Sequence, residues 1–164
     1  MSKIILPDRN ELANFLVKAK KNVWAGDANE VEPRRPGFKR HVFREGVWLY
    51  EDKYSGFYRA PGSEFVSFND VPTWFMYYSG GMKPYHLGDE EFAKQTFSFL
   101  KEMLLMVDRK MPFRGPTRFE KGEWLYYIKD FNGDIYDFRA TEVISHKGSE
   151  AFTQDFGGGV IIDK

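Results

Sequence analysis

Cysteine is absent from this 164-residue chain, which excludes disulfides, thiol nucleophiles and thiolate-bound metal or iron-sulfur centres. An excess of charge of either sign is also absent, because 24 Lys and Arg residues offset 24 Asp and Glu residues. This balance argues against nucleic acid as a partner of this chain alone. No apolar run approaches the roughly 18 residues of a membrane span, and the N-terminal one is too short for a signal-peptide core. We therefore expect a cytoplasmic protein without a membrane partner.

Familiar catalytic and cofactor motifs are missing as well. The sequence has no phosphate-binding loop, no dinucleotide fingerprint, no serine nucleophile elbow and no zinc-protease helix motif. His41, His86 and His146 have no second His or Cys at the spacing of metal sites. The stretch 130–141 begins like a calcium loop, but Thr141 stands where a bidentate acid is required. The sequence predicts no metal and no cofactor.

Aromatic residues, in contrast, are abundant: 16 Phe, 9 Tyr and 4 Trp make up 18% of the chain, and 42% of all residues are hydrophobic. A chain of this length and composition buries roughly two thirds of its unfolded surface. We therefore expect a single domain over residues 1–164.

The chain begins with an amphipathic pattern and continues with short aromatic runs. Apolar residues recur at helical spacing from Asp8 to Gly26 and again from Asp89 to Asp108. Lys18, Lys20 and Lys21 lie mostly off the first apolar stripe, which favours a solvated face. Asn132-Gly133 predicts a hairpin turn. The predicted strands are 40–44, 47–54, 57–59, 64–68, 73–78, 117–120, 123–129, 134–138, 141–145, 150–156 and 160–162.

Two parts of the chain resemble each other. A shift of 76 residues aligns 43–53 with 119–129 at six identical positions, and it pairs Trp48 with Trp124, Tyr50 with Tyr126 and, after two single-residue insertions, Glu64 with Glu142. A repeat of this length indicates a duplicated unit, over about 8–82 and 89–162. Coincidence between two aromatic hairpins is the alternative. We expect an α+β fold in which each unit has one helix and four to five antiparallel strands, with helices on the sheet faces and pseudo-two-fold symmetry.

The aromatic residues suggest a ligand site. Trp48 and Tyr50, like Trp124 and Tyr126, alternate along a strand and therefore face one side of a sheet, where they fill the core or line a pocket. Trp74 and Tyr78 add to this aromatic surface, and an arginine, Arg114, at a pocket rim would bind a carboxylate or phosphate. A structural bond from this arginine to a helix-end carbonyl is the alternative.

Glu64 and Glu142 are candidates for acid-base chemistry, because the repeat gives them equivalent positions and a two-fold axis would bring them together. One of them paired with a His is the alternative. Exposed strand acids are the commoner arrangement. Catalysis is therefore less expected than binding, and the sequence assigns no catalytic residue.

Several segments together resemble a bacterial family of domains of unknown function. These segments are Phe15-Leu16-Val17-Lys18-Ala19-Lys20, Trp24-Ala25-Gly26, Arg35-Pro36-Gly37, Gly46-Val47-Trp48-Leu49-Tyr50, 72–78, Phe113-Arg114-Gly115-Pro116 and Gly157-Gly158-Gly159. Members of this family occur alone or behind a lambda-repressor-type helix-turn-helix domain. The resemblance implies a relation to the effector domains of transcriptional regulators, and it implies no catalytic residues.

These observations lead to a functional expectation. We expect a small-molecule-binding or sensory module whose site draws on Trp48, Tyr50, Glu64, Trp74, Tyr78, Arg114, Trp124, Tyr126 and Glu142. The alternative is an interaction module that binds a protein partner or a second copy of itself through edge strands.

Overall fold

Runs of alternating aromatic and polar residues form nine antiparallel strands of one sheet in the computed structural model of the protein, which describes residues 6–24 and 29–163. The strands follow the order β1-β2-β3-β4-β5-β9-β8-β7-β6 across this sheet. Their bounds are β1 Glu30–Val31, β2 Lys39–Glu45, β3 Trp48–Tyr54, β4 Gly62–Phe68, β5 Val71–Met82, β6 Arg118–Lys121, β7 Trp124–Asp134, β8 Asp137–His146 and β9 Ser149–Val160.

Two α-helices complete the fold, α1 over Arg9–Trp24 and α2 over Glu90–Leu104. The carboxylate of Asp8 accepts hydrogen bonds from two backbone amides of the first turn of α1, each at 2.9 Å. The carboxylate of Asp89 accepts one from the amide of Phe92 at 3.0 Å. Both predicted helix starts, at Asp8 and at Asp89, are therefore confirmed, and each aspartate caps its helix. The predicted stop at Gly26 lies outside the described residues, and α2 ends four residues before Asp108.

Both helices cover the same face of the sheet. Tyr50 lies opposite Val66, Tyr126 lies opposite Ile144, and all four side chains are buried on that face. The core forms two adjoining clusters, of which α1 contributes to the first and α2 to the second. No helix in the described part of the chain is long and apolar enough to cross a membrane.

The predicted α+β class with duplicated helix-plus-sheet units is wrong. The protein is mainly β, with two helices of 16 and 15 residues beside nine strands. β5 pairs with β9 in the middle of the sheet, from Trp74–Val160 to Met82–Phe152, so hydrogen bonding runs unbroken from one edge to the other. Local periodicity identified the strands but carried no information about this long-range pairing.

Glycines make the central pairing possible. A Cβ on Gly158 would lie 2.0 Å from the carbonyl oxygen of Phe75, and one on Gly80 would lie 2.2 Å from that of Thr153. The backbones of β5 and β9 approach each other too closely for side chains at these positions. Gly80-Gly81, which resembles a turn in sequence, therefore lies inside β5.

Three of the predicted local features are wrong. Asn132 and Gly133 pair with Arg139 and Phe138 inside the β7–β8 hairpin, so its turn follows Asp134 and the predicted strand 134–138 contains that turn. The predicted strand 57–59 forms only an isolated bridge, between Arg59 and Gly81.

Candidate functional site

The sheet face beneath α1 carries ionisable side chains on adjacent strands. Register places His41 of β2 opposite Asp52 of β3, and Asp52 opposite Glu64 of β4. Because directly paired residues point to the same face, these three side chains form one row across the sheet. All three are at most 6% exposed, so the row is buried.

The Lys20 side chain of α1 extends into this row. Its Nζ lies 2.5 Å from Glu64 Oε2 and donates a second hydrogen bond to the carbonyl oxygen of Phe113 at 2.7 Å. The Lys20 side chain is fully buried, and burial lowers its pKa below the ordinary value although Glu64 favours the charged form. The rings of Trp24 and Trp74 lie 5.1 and 5.6 Å from Nζ. The interpretation of Lys20 as part of a solvated face is therefore wrong.

Arg114 forms the second buried ion pair. Its guanidinium binds Glu142 Oε1 through Nε at 2.9 Å and through a terminal nitrogen at 2.7 Å. Glu142 also accepts hydrogen bonds from the Tyr126 hydroxyl at 2.8 Å and from the Gln154 amide at 2.9 Å. Burial and the adjacent Glu142 carboxylate raise the pKa of the Tyr126 hydroxyl well above its ordinary value. This carboxylate is therefore fully engaged within the protein.

Asp52 differs from the two glutamates. Its carboxylate accepts a hydrogen bond from the Tyr78 hydroxyl at 2.7 Å, and no Lys, Arg or His of the described residues lies within ion-pair distance of it. Burial, reinforced by the negative charge of Glu64, raises the pKa of Asp52 to about 7. The Tyr78 hydrogen bond and the cations of Arg114 and Lys20 oppose this shift without cancelling it.

A cleft of about 190 Å³ opens beside Asp52. The ends of both helices and strands β2 and β3 form its walls. Its lining residues are Val23, Trp24, His41, Asp52, Tyr54, Lys101 and Leu104. His41 and Tyr54 stack with nearly parallel rings, 6.0 Å between centroids. The cleft thus combines aromatic and apolar walls with one carboxyl of raised pKa, a combination typical of ligand-binding sites.

Many of the residues singled out from sequence lie near one another. Glu64, Trp74, Tyr78, Arg114, Glu142, Tyr50 and Tyr126 are all buried on the helix-covered face. Trp48 and Trp124 lie apart: Trp48 packs against Phe15 and Phe68, and Trp124 packs against Phe92 and Phe99. None of the nine lines the cleft, and Tyr78 is connected to it through the hydrogen bond to Asp52. Their role in ligand binding stays a prediction.

Sequence reasoning missed the cleft residues. Asp52 follows Tyr50 by two positions on a strand and therefore shares its inward face, which is a signal that the sequence contained. Lys20 follows Leu16 by four positions and Leu12 by eight, which places it on the apolar stripe of α1. His41 offered no comparable signal, because its pairing with Asp52 depends on strand register.

Comparison with known protein families gives one match. A family model described as a domain of unknown function, DUF5680, matches residues 52–161, about two thirds of the chain. The chain belongs to the DUF5680 family. No curated protein and no solved structure matches it.

The DUF5680 match covers only part of the candidate site. It begins at Asp52 and includes Glu64, Tyr78, Arg114 and Glu142, whereas α1 and β2 precede it. Three of the seven lining residues, Val23, Trp24 and His41, therefore lie outside the matched segment. Among the described residues, no group of three or more His, Asp or Glu side chains is arranged to hold a metal ion.

Proposed function

We propose that this DUF5680 protein is a small-molecule-binding module whose ligand occupies the cleft beside Asp52. One observation carries the proposal: a buried carboxyl without an ion-pair partner among the described residues lies at a cleft with aromatic and apolar walls. Burying such a group costs free energy, and proteins retain costly buried groups most often where they serve a function.

A binding function is better supported than a catalytic function in which Glu64 and Glu142 act as acid and base. Glu64 is bonded to Lys20, and Glu142 is bonded to Arg114, Tyr126 and Gln154. Neither glutamate lines the cleft. A general acid or base must reach the substrate proton. The Glu142 carboxylate is engaged by its partners, and Glu64, whose Oε1 has no hydrogen-bond partner among the described residues, lies outside the cleft lining.

A sensory role extends the proposal. Val23 and Trp24 of α1 and Lys101 and Leu104 of α2 line opposite parts of the cleft, so a ligand there would contact both helix ends. Its binding energy would favour one arrangement of the helices on the sheet over others. The resemblance to domains that follow a helix-turn-helix domain supports this regulatory role by analogy.

A fragment screen by two-dimensional NMR tests the proposal. We expect small polar fragments to shift the indole N–H resonance of Trp24 and the amide resonances of His41 and Leu104 before those of other residues. Asp52→Asn should weaken the shifts, whereas Asp137→Asn, at an exposed position on the β7–β8 hairpin, should preserve them. A screen whose hits never cluster at the cleft would contradict a binding function for it.

A further inference from the structure

We infer that the cleft takes an organic cation, an ammonium group on a small apolar or aromatic body, with Asp52 as its counter-ion. This inference rests on the proposed function and adds the chemical class of the ligand. It is argued from the charges around Asp52, from the walls of the cleft and from its size.

The buried charges of the site do not balance. Lys20 pairs with Glu64 and Arg114 pairs with Glu142, each within 2.7 Å. Asp52 is a third buried carboxyl, and it is hydrogen-bonded to the Tyr78 hydroxyl, which carries no charge. When Asp52 is ionised, three buried carboxylates, Glu64, Glu142 and Asp52, face two buried Lys and Arg cations, Lys20 and Arg114, and a buried charge is stabilised best by a partner of opposite sign. A ligand cation would supply that partner.

The walls of the cleft suit a cation with an apolar body. Trp24 and Tyr54 are electron-rich rings that attract cations to their faces, and Val23 and Leu104 offer apolar contact. An anionic ligand would instead lie beside the Asp52 carboxylate and be repelled by it.

Lys101 is the lysine among the residues that line the cleft, and its positive charge would favour an anion. It is exposed on α2, so its ammonium is solvated and its attraction is screened by water and salt. Asp52 is buried, and its charge is screened much less. The charge of Asp52 therefore dominates inside the cleft.

The size of the cleft limits the ligand. Its volume of about 190 Å³ lies below the roughly 300–1,000 Å³ of drug-sized pockets. A single ring with a short aminomethyl group is an appropriate probe. Benzylammonium meets this description, and benzyl alcohol and benzoate are its neutral and anionic counterparts of nearly equal shape.

The test compares the three probes by NMR titration of the whole protein at pH 8. We expect benzylammonium to shift the Trp24 indole resonance with an affinity about tenfold above that of benzyl alcohol, and benzoate to bind more weakly still. In Asp52→Asn the preference for benzylammonium over benzyl alcohol should disappear. Asp137→Asn should leave it intact.

A second readout uses the unmodified protein. The affinity for benzylammonium should rise about fivefold or more between pH 5.5 and pH 8 as Asp52 loses its proton, while that for benzyl alcohol stays constant. The ionisable groups that face Asp52 are His41 of β2, Glu64 of β4, Tyr78 of β5, Lys20 of α1, Lys101 of α2 and Arg114 of the segment before β6. If Asp52 causes the rise in benzylammonium affinity, the rise should disappear in Asp52→Asn. If His41 causes it, the rise should remain in this variant.

The outcomes separate the two proposals. Equal or stronger binding of benzyl alcohol or benzoate in the cleft would overturn the cation inference and leave the binding function standing. A failure of benzylammonium to shift cleft resonances at pH 8 would also overturn the inference. Loss of the binding function requires the separate result that no fragment of any charge binds at the cleft.

Discussion

At the residue scale, Asp52 is a buried carboxyl whose charge changes near neutral pH. It is 4% exposed, and its pKa of about 7 compares with an ordinary value of 3.8. The two glutamates on the same face have cations of their own, and Asp52 has a hydroxyl. The protein therefore buries one carboxyl whose ionisation opposes folding.

The first prediction concerns the pH dependence of stability. Because the folded-state pKa of Asp52 lies above its unfolded value, the unfolded chain releases this proton first, and the Asp52 contribution to stability falls as pH rises from about 4 to about 7. Asp52→Asn should be more stable than wild type at pH 8 by up to about 4 kcal/mol, and the difference should shrink towards pH 4.

Urea denaturation of both proteins at pH 4, 5, 6, 7 and 8 measures this difference. Other titrating groups are common to the two proteins, so the difference isolates Asp52. A wild-type advantage that grows with pH would contradict the assignment.

The second prediction compares two tyrosines. The Tyr126 hydroxyl donates to Glu142 and accepts from the Gly115 amide at 3.1 Å. The buried Tyr50 hydroxyl interacts with Glu64 but forms no hydrogen bond of normal geometry among the described residues. Tyr126→Phe removes one hydrogen bond from the buried Glu142 carboxylate and one from the buried Gly115 amide. It should therefore cost about 1–3 kcal/mol of unfolding free energy. Tyr50→Phe should cost less than about 1 kcal/mol. Equal losses in parallel urea titrations would contradict these roles.

Sequence patterns identified several of the buried residues but not the bonds between them. Alternation along strands placed Tyr50 and Tyr126 on one face, and the repeat singled out Glu64 and Glu142. The partner of each glutamate comes from a segment distant in sequence, Lys20 at 44 residues and Arg114 at 28 residues. Such pairs depend on tertiary packing, to which local periodicity is insensitive.

At the scale of elements, α1 is fixed to the sheet by an ion pair as well as by its apolar stripe. Leu12, Leu16 and Ala19 are fully buried, and Lys20 continues the same face of the helix. The Lys20–Glu64 contact holds the C-terminal half of α1 on β4 beside the cleft. The position of Trp24, one turn later, depends on this anchor.

The third prediction tests this anchor. Lys20→Met leaves Glu64 buried without its cation and should cost about 3–5 kcal/mol, because an unpaired buried charge is strongly destabilising. Lys20→Met combined with Glu64→Gln should recover part of the loss. Lys18→Met, which removes an exposed pair with Glu45, should cost about 1 kcal/mol or less. Similar losses for Lys18 and Lys20 in chemical denaturation would contradict an anchoring role.

The elements themselves were predicted with mixed success. Both helix starts were predicted correctly, and at each one the short side chain of an aspartate bonds to nearby amides. The turn at Asn132-Gly133 was wrong because the β7–β8 strands continue past it to Asp134 and Asp137. A favourable turn dipeptide indicates where a chain is able to reverse, and strand pairing decides where it does.

At the scale of the whole molecule, the β5–β9 pair joins the two ends of the sheet. It contains nine paired positions, and its close approach needs glycine at Gly80 and Gly158. The predicted α+β class was wrong because nothing in local sequence patterns shows that strands 71–82 and 149–160 pair. The central pairing also means that both core clusters depend on the same two strands.

The fourth prediction concerns this central pairing. Gly158→Ala places a Cβ against the Phe75 carbonyl and should cost about 3 kcal/mol or more, because backbone cannot move aside as a side-chain end does. Gly122→Ala is the matched control: it has open space around its Cβ but a φ of +60°, and it should cost about 1–2 kcal/mol.

Thermal unfolding followed by circular dichroism and by tryptophan fluorescence measures both variants. We expect both signals to report one coincident transition, because both core clusters depend on strands β5 and β9. The transition temperature should fall most in Gly158→Ala. Separate transitions for the two signals would contradict a single cooperative unit.

The most direct test of the account is a carbon-13 NMR titration of the Asp52 carboxyl, without and with saturating benzylammonium. We predict that the pKa of Asp52 is about 7 in the free protein. This pKa should fall clearly when the cation binds, because a bound cation stabilises the ionised carboxylate. A free-protein pKa near 4, or a pKa that the bound amine leaves unchanged, would contradict the assignment of Asp52 as a counter-ion.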